Sequence, residues 1–304
     1  MSTDSTARRR IAVLDAPSNL GLRPPTIGSV PGCAKAPGAL RDARIVERLR
    51  AYDAGCVTPP RYDPGTWRPG DGVSQAETIA VYSRLLAARV SGLLDEGYFP
   101  VLLGGDCSIT LGVVLALRHR ASIGRYGLVY LDGHADFRHE GNAPFVGAAA
   151  GENLALVTGR GHKVLTDIDG LRPYVSDADA VVIGIRQHDE QRFDLQAAGI
   201  EYRTVPEMRT EGATRTAAWA REVLADCAGY WVHVDVDILD PSVMPAVDAP
   251  GAGGVSYGEL EVLLAGLTEV SECLGVHVTV FDPDYDSYGA YAEEIVRLLA
   301  NGLR

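Results

Sequence analysis

Two short segments of this chain carry acidic side chains and a histidine at spacings that suit metal binding. The first contains Asp132, His134 and Asp136, and the second contains Asp235 and Asp237. Side chains alternate between the faces of an extended strand, so the members of each segment should share a face. Neither segment contains a lysine, and half-buried carboxylates repel one another unless cations neutralise them or they take up protons. The pattern therefore predicts a bound metal.

A third segment, from Gly104 to Ser108, also follows a short apolar run. Its two glycines permit a tight turn with close backbone approach, and Ser108 is a candidate cap for a following helix. Taken alone, each segment has an ordinary alternative, namely a strand-to-helix turn or a solvated strand end. Three such segments in one chain favour the metal site. His233, two residues before Asp235, is expected to be a hydrogen-bonded core histidine instead of a ligand.

Short apolar runs alternate with longer helix-like stretches, which predicts one three-layer α/β/α domain with a mainly parallel central sheet. The predicted strands are 10–14, 99–103, 126–131, 180–185, 202–205, 231–236 and 276–281, and the predicted helices are 75–96, 108–119, 214–228, 257–268 and 288–303. Ligands of such sheets bind outside the carboxyl ends of the strands. Because all three segments follow apolar runs, we expect them at one rim. Residues 1–9 are expected to be a disordered tail, and the proline-rich stretch before residue 40 a long loop.

Composition narrows the class of protein. The 304 residues are 46% hydrophobic and 22% charged, an ordinary balance for a globular domain with a sizeable core. The net charge of −12 argues against nucleic acid or an anionic membrane as partner, since both require clustered basic residues. No apolar run is long enough for a membrane helix. Five scattered cysteines without a CxxC pair indicate reduced thiols and a cytoplasmic location.

The three segments read GGDCS, DGHAD and DVDILDP, and together they resemble the ureohydrolases, the family of arginases and agmatinases. That family has GGDHS, DxHxD and DxDxxDP in the same order at comparable spacing. Residues 37–41, 184–186 and 250–254 resemble further family segments, so the resemblance covers most of the chain. It implies an arginase-like fold and a homo-oligomer, either a trimer or a hexamer.

The resemblance also implies a site for two divalent ions, usually manganese. Its ligands would be Cys107, Asp132, His134, Asp136, Asp235 and Asp237. Asp132 and Asp235 would bridge both ions, His134 and Asp237 would complete one, and Asp136 with Cys107 would serve the other. A hydroxide held between the ions would attack the guanidinium carbon of a small guanidino or amidino substrate, releasing an amine and urea or a substituted urea. Asp136 would be catalytic, orienting the hydroxide and passing its proton to the leaving nitrogen.

One departure from the family pattern lies among the ligands. Cys107 replaces the histidine of the family motif. A thiolate is a softer donor that favours zinc or iron over manganese. The alternative is that Cys107 is a small buried residue that binds nothing.

Other departures concern substrate recognition. The family's guanidinium-binding glutamate is absent from residues 278–283, and its loop histidine is absent from residues 151–155. His139 or His162 could substitute for the histidine. Asp282, Asp284 and Asp286 could supply an anion, although a solvated acidic turn is the simpler explanation. Asp189 aligns with an acidic position that family members use toward a substrate amine, so Asp189 and Asp282 are the candidate substrate-binding residues.

These departures make plain arginine a less suitable substrate than a modified guanidine. Family variants with cysteine in the first motif resemble hydroxyarginine hydrolases, which makes an N-hydroxyguanidine, releasing hydroxyurea, a candidate. Two other functions stay open. One is a single-zinc deacetylase, although Asp136 and Asp237 favour two ions. The other is a non-catalytic relative that keeps the fold and a metal.

Overall fold

Among the described residues, eight strands form one parallel sheet at the centre of the molecule. The structure, a computed structural model, describes residues 9–26, 28–63, 65–143 and 146–303. The strands are β1 (Ile11–Ala16), β2 (Tyr52–Cys56), β3 (Phe99–Gly104), β4 (Gly127–Leu131), β5 (Ala180–Ile185), β6 (Glu201–Thr204), β7 (Tyr230–Asp235) and β8 (Cys273–Thr279). Their order is β2-β1-β3-β8-β7-β4-β5-β6, and all neighbours pair in parallel. The predicted parallel sheet is confirmed.

Helices cover both faces of this sheet. In the described part of the chain they are α1 (Ala36–Asp42), α2 (Ile45–Leu49), α3 (Ala76–Asp95), α4 (Ile109–His119), α5 (Asn153–Val157), α6 (Lys163–Thr166), α7 (Arg192–Ala198), α8 (Val205–Glu211), α9 (Ala213–Val223), α10 (Tyr257–Thr268) and α11 (Ala290–Gly302). Helices α3 and α4 pack over one face, and α9, α10 and α11 over the other. The predicted three layers are present.

Strand β1 shows why the apolar runs predict buried strands. Ile11 and Val13 contribute to one hydrophobic core, whereas Ala12 and Leu14 contribute to the core on the opposite face. A strand buried on both faces is apolar at every position, so it reads as a continuous run instead of an alternation.

Two elements depart from the sequence expectations. Strand β2 lies at the sheet edge, where Tyr52 is 51% exposed, so it lacks the apolar run of a buried strand. Helix α1 occupies part of the predicted loop, because Pro37 falls in its first turn, where a helix tolerates a missing amide hydrogen.

The expected tail at residues 1–8 lies outside the described residues. Arg9 itself packs its guanidinium on the ring of Phe99, 4.2 Å from the centroid. None of the described helices combines the length and apolar character needed to cross a bilayer. All five cysteines are free.

The carboxyl ends of four adjacent strands, β3, β8, β7 and β4, form one stretch of the rim. As expected, the segment with Asp132 to Asp136 follows β4, the segment with Asp235 and Asp237 lies at the end of β7, and the 104–108 segment lies at the end of β3. Residues 280–282 follow β8. The fold therefore brings all three segments to one place.

Candidate metal centre

The two acidic segments converge, but not as continuous strands. β4 ends at Leu131, so Asp132, His134 and Asp136 lie in a loop, and Asp136 has a left-handed backbone with φ 45°. The extended-strand argument therefore explains only where each segment begins. Hydrogen bonds hold the loop, since the His134 amide donates to Asp132 Oδ1 over 2.7 Å and the Gly133 amide donates to Asp237 Oδ1 over 3.1 Å.

One group of possible ligands, the outer donor set, consists of Asp132, His134 and Asp237. One ligand atom from each lies within 4.8 Å of the others. His134 Nδ1 is 3.0 Å from Asp237 Oδ2 and 3.8 Å from Asp132 Oδ1. The hydrogen bond with Asp237 raises the pKa of His134 to about 9. Two oxygen donors and an imidazole form an ordinary set for a divalent cation.

A second group, the inner donor set, consists of Cys107, Asp132, His233 and Asp235. It meets the same 4.8 Å criterion, and all four residues are buried. The Cys107 thiol donates to Asp235 Oδ2 over 2.9 Å. Burial, followed by the charge of Asp235, raises the pKa of this thiol well above its usual value. Without a metal, Cys107 is therefore a neutral thiol.

The two carboxyls of the inner donor set are strained electrostatically. Burial, and then the charges of neighbouring aspartates, raise the pKa of both Asp132 and Asp235 well above the usual range. Asp132 Oδ2 and His233 Nε2 are buried without a hydrogen-bond partner among the described residues. Unpaired buried polar atoms are costly. An unpaired oxygen of Asp132 beside clustered carboxyls fits a divalent cation.

Asp136 belongs to neither donor set, although it lines the same cavity. The Tyr130 hydroxyl donates to its Oδ2 over 2.8 Å, and the Asn153 amide donates to that hydroxyl oxygen over 3.0 Å. Burial raises the pKa of Asp136 to about 7. These bonds fix the orientation of the carboxyl group toward the cavity.

The cavity at this rim has a volume of about 160 Å³. Besides the metal-centre residues it is lined by Leu22, Arg138, Ala150, Gly151, Gln191, Asp248, Ala249 and Val280. Gly151 and Val280 lie where the family resemblance led us to expect a histidine and a glutamate. Val280 has φ 72°, a left-handed conformation that is unusual and strained for a β-branched residue.

The predicted substrate-binding residues lie outside the lining of this cavity. Asp189 accepts hydrogen bonds from the amides of Ala135 and Gln191, both over 2.9 Å, so it supports the loop that carries His134. Asp282 accepts from the Asp284 amide over 2.9 Å. Direct substrate contacts by Asp189 and Asp282 stay predictions.

The other proposed substitutes are also placed elsewhere. His139 accepts from the Gly141 amide, and His162 lies against Gly72. Asp284 pairs with Lys35. Asp286 accepts from the amide of Ala292. None of these side chains is among the described residues that line the cavity.

The turn after β3 is built by a close approach and an aspartate. A Cβ on Gly105 would lie 1.6 Å from the Ser18 carbonyl oxygen, so only glycine fits. Asp106 accepts from the Ser18 hydroxyl and from the Ser108 amide, each over 2.8 Å. Ser108 precedes α4 but makes no side-chain cap, so the expectation for Ser108 is not met. Asp106 instead holds the turn that leads into the helix.

Arg186 holds the loop that follows β7. Its buried guanidinium donates to the backbone carbonyls of Asp237, Ile238, Leu239 and Gly251. Burial lowers the pKa of Arg186. One side chain thus joins the segment that carries Asp237 to the cavity wall near Gly251.

Sequence reasoning missed Arg138, Gln191 and Asp248. Each lies in a loop whose path the apolar pattern does not predict. Asp248 had one usable signal, since it directly precedes the recognised 250–254 loop. Arg138 had another, because it is two residues beyond Asp136.

Comparisons with known proteins identify chains to which this one is similar. The model of the arginase family matches residues 9–302. Arginase from Bacillus subtilis (strain 168) is 27% identical over 297 residues, 96% of this chain and 96% of that protein. Arginase from Brevibacillus brevis is 30% identical over 279 residues, 89% of this chain and 91% of that protein. The structure of arginase from Bacillus caldovelox superposes with a TM-score of 0.86 at 27% identity, covering 97% of this chain and 98% of that one.

Proposed function

Because this chain belongs to the arginase family of hydrolases that act on guanidino and amidino compounds, we propose that its own substrate is an N-hydroxyguanidine carried on an amino acid. The observation that carries the proposal is Val280 in the cavity lining, where the family resemblance implies a glutamate. At Val280 a guanidinium cation meets an apolar side chain, so it loses solvation there without gaining the counter-ion that a glutamate would supply. An N-hydroxyguanidine is less basic, since its hydroxyl group withdraws electrons, so a neutral form can enter.

The metal requirement follows from family membership and from the fit of the donor atoms. The outer donor set would hold one divalent ion, and Cys107, Asp132 and Asp235 of the inner donor set a second, with Asp132 shared between them. Bound there, such ions would lower the pKa of a water molecule and polarise the substrate. Manganese suits the outer set, whereas Cys107 would shift the inner set toward zinc or iron.

Asp136 is the proposed proton carrier. Tyr130 holds one oxygen of its carboxyl group, so the group is oriented before substrate binds. A carboxyl in this position can take a proton from water and pass it to the leaving nitrogen. The chain would then release hydroxyurea and an amine.

Arg138 is the proposed determinant of the amino-acid portion. It is an exposed cation in the cavity lining. A substrate carboxylate would pair with it, whereas a decarboxylated guanidino amine, which carries only positive charge, would be repelled. We therefore expect a guanidino acid to be preferred over its decarboxylated counterpart.

The test combines metal counting with product analysis. Chelator-treated protein is reloaded with Mn²⁺, Zn²⁺ or Fe²⁺, the bound ions are counted, and products are read by mass spectrometry. The panel contains arginine, its N-hydroxy derivative, the decarboxylated guanidine and an acetyl-lysine peptide. We expect hydroxyurea from the N-hydroxy compound, with kcat/KM at least about tenfold above arginine, a difference of about 1.4 kcal/mol in transition-state binding.

Other outcomes discriminate among the alternatives. Preferred urea release from arginine contradicts the proposed substrate. One tightly bound zinc with acetate release supports the deacetylase, and no product with any metal supports a non-catalytic relative. In the variant Arg138→Gln, KM for the amino-acid substrate should rise about tenfold with little change in kcat, because a binding contact is lost. Arg215→Gln, at an exposed position away from the cavity, is the matched control.

Two further properties stay proposals. A homo-oligomer, trimer or hexamer, can be tested by light scattering on the purified chain. The cytoplasmic location can be tested by cell fractionation.

A further inference from the structure

We infer that Trp231, His277 and His233 form a hydrogen-bond relay of fixed direction that presents the His233 Nε2–H to Asp132, which makes His233 a positioning residue and not a metal ligand. The inference depends on the proposed metal centre for its effect on metal binding. The direction of the relay can be measured without metal or substrate.

The relay lies on adjacent strands, and its last member, His233, is two residues before Asp235 on β7. Trp231 and His233 are on β7, and His233 pairs in register with His277 on β8. All three residues are fully buried. A Cβ on Gly275 would lie 2.4 Å from the Trp231 ring, so a glycine at this position of β8 leaves room for the indole.

Three distances define the relay. Trp231 Nε1 lies 2.8 Å from His277 Nδ1, and His277 Nε2 lies 2.5 Å from His233 Nδ1. His233 Nε2 then faces Asp132 Oδ2 at 3.6 Å. The last distance is too long for a hydrogen bond, yet both atoms are buried without a partner among the described residues.

The indole determines where every proton sits. An indole nitrogen can only donate, so His277 Nδ1 must accept and carries no proton. A histidine ring with a bare Nδ1 carries its proton on Nε2, and that proton points at His233 Nδ1. His233 Nδ1 must therefore accept as well, which leaves the His233 proton on Nε2.

The Thr110 hydroxyl does not disturb this order. Its Oγ1 is 3.0 Å from His277 Nε2 and 3.4 Å from His233 Nδ1. A hydroxyl can accept from the first nitrogen and donate to the second. The hydrogen bonds of the Thr110 hydroxyl can therefore have the same donor-to-acceptor direction as the relay.

The proton on His233 Nε2 has two consequences. A nitrogen that carries a proton has no lone pair for a metal, so His233 is excluded from the inner donor set although its distance would admit it. The N–H dipole instead faces Asp132 Oδ2 at 3.6 Å, where it would orient this carboxyl group as a ligand once a metal binds. Hydrogen-bonding partners of ligands commonly set ligand orientation in this way.

Nitrogen NMR on metal-free protein tests the relay. Protein labelled with ¹⁵N-histidine is recorded in long-range ¹H–¹⁵N spectra, which distinguish protonated from bare ring nitrogens. The variants His233→Gln and His277→Gln assign the two signals. We expect both rings to be neutral with the proton on Nε2. A proton on Nδ1 of His233, or an imidazolium at either ring, would overturn the inference.

Two variants of His277 distinguish its hydrogen-bonding role in the relay from its role in core packing. His277→Gln keeps an acceptor for the indole and a donor for His233, whereas His277→Leu removes both. Mn²⁺ or Zn²⁺ affinity, from chelator competition, should fall about ten- to a hundredfold in the leucine variant and recover in the glutamine variant. Equal losses in both variants would indicate a packing role only and contradict the relay.

The last variant distinguishes a positioning residue from a ligand. In His233→Leu, the number of bound ions at saturation should stay unchanged while their affinity falls. Loss of one whole ion would show that His233 is a ligand and would overturn the inference. Failure of the substrate panel alone would leave the tautomer result intact, so the two proposals fail separately.

Discussion

The outer and inner donor sets share Asp132 but differ in almost every physical property. The outer set reaches solvent through His134, whose side chain is 36% exposed, and its oxygens accept from backbone amides. The inner set is buried, holds a neutral thiol, and has two polar atoms without partners among the described residues. The outer set is thus organised without an ion, whereas the inner set, although the Asp237 amide donates to Asp235 Oδ1 over 2.8 Å, keeps these two polar atoms without a described partner.

The difference leads us to expect that the two proposed metal positions can be tuned independently. Backbone amides fix the outer ligands, so little reorganisation is needed when an ion binds. The inner position depends on loss of the Cys107 proton to Asp235 or to solvent, because only the thiolate is an effective ligand. We therefore expect the outer position to fill first.

The largest effect should come from the shared residue. Asp132→Ala should remove both ions and lower kcat/KM by more than about a hundredfold. This exceeds the roughly ten- to hundredfold loss that is usual when a residue hydrogen-bonded to a metal ligand is replaced. His134→Ala should remove only the outer ion. Metal counting after gel filtration measures both, with Asp226→Ala, an exposed position, as control. One full ion retained in Asp132→Ala would contradict a shared ligand.

A smaller effect should follow from changing only the inner set. Cys107→His should strengthen Mn²⁺ binding at the inner position by about tenfold, because imidazole is a better donor for manganese than a neutral thiol. Cys107→Ser keeps the volume and should give no such gain. Metal analysis after dialysis reports occupancy, and thermal unfolding checks that the larger ring is accommodated. Unchanged metal content across Mn²⁺, Zn²⁺ and Fe²⁺ would show that Cys107 is not a ligand.

The smallest effect concerns pH and the outer set. In metal-free protein the pKa of His134 is about 9, raised from 6.5. The folded state therefore holds this proton more tightly than the unfolded state, so the contribution is complete below pH 6.5 and is lost as the pH rises through 9. The melting temperature should fall by about 2 to 4 °C over this range, and less in His134→Asn.

The burial of Asp136 adds to this trend with the same sign. Its pKa of about 7 lies above the usual 3.8, so its contribution to stability is lost between pH 4 and 7. Burial lowers the pKa of His233 well below 6.5, so its titration in the unfolded state acts below pH 6.5 with the opposite sign. The range from pH 6.5 to 9 therefore reports on His134 and not on His233. A melting temperature independent of pH between 6.5 and 9 would contradict the assignment to His134.

The sequence predicted the sheet because its central strands are buried on both faces. Strand β2 was not predicted because it is half exposed. Helix α1 was not predicted because a proline in a first helical turn cannot be told from a loop proline by sequence alone. The meeting of Asp132 with Asp235 followed from the rim argument. Arg138, Gln191 and Asp248 were missed because loop paths, which the apolar pattern does not predict, bring them to the cavity.

The relay illustrates a different limit. His233 was correctly expected to be a hydrogen-bonded core histidine, since His277 is its partner. The direction of the relay depends on which residue of β8 lies beside Trp231 and His233. That register is a property of strand pairing between distant segments, and no local pattern encodes it.

Arg186 gives the cavity two mechanically unequal sides. Its guanidinium ties carbonyls from Asp237 to Gly251 into one body, so that side can shift only as a unit and would carry a metal ligand with it. Accommodation of a bulkier or smaller substrate must then come from the side that bears Arg138 and Gly151. Changes at Arg138 or Gly151 would retune substrate size while the segment that carries Asp237 stays in place, which makes this side the place to begin directed evolution.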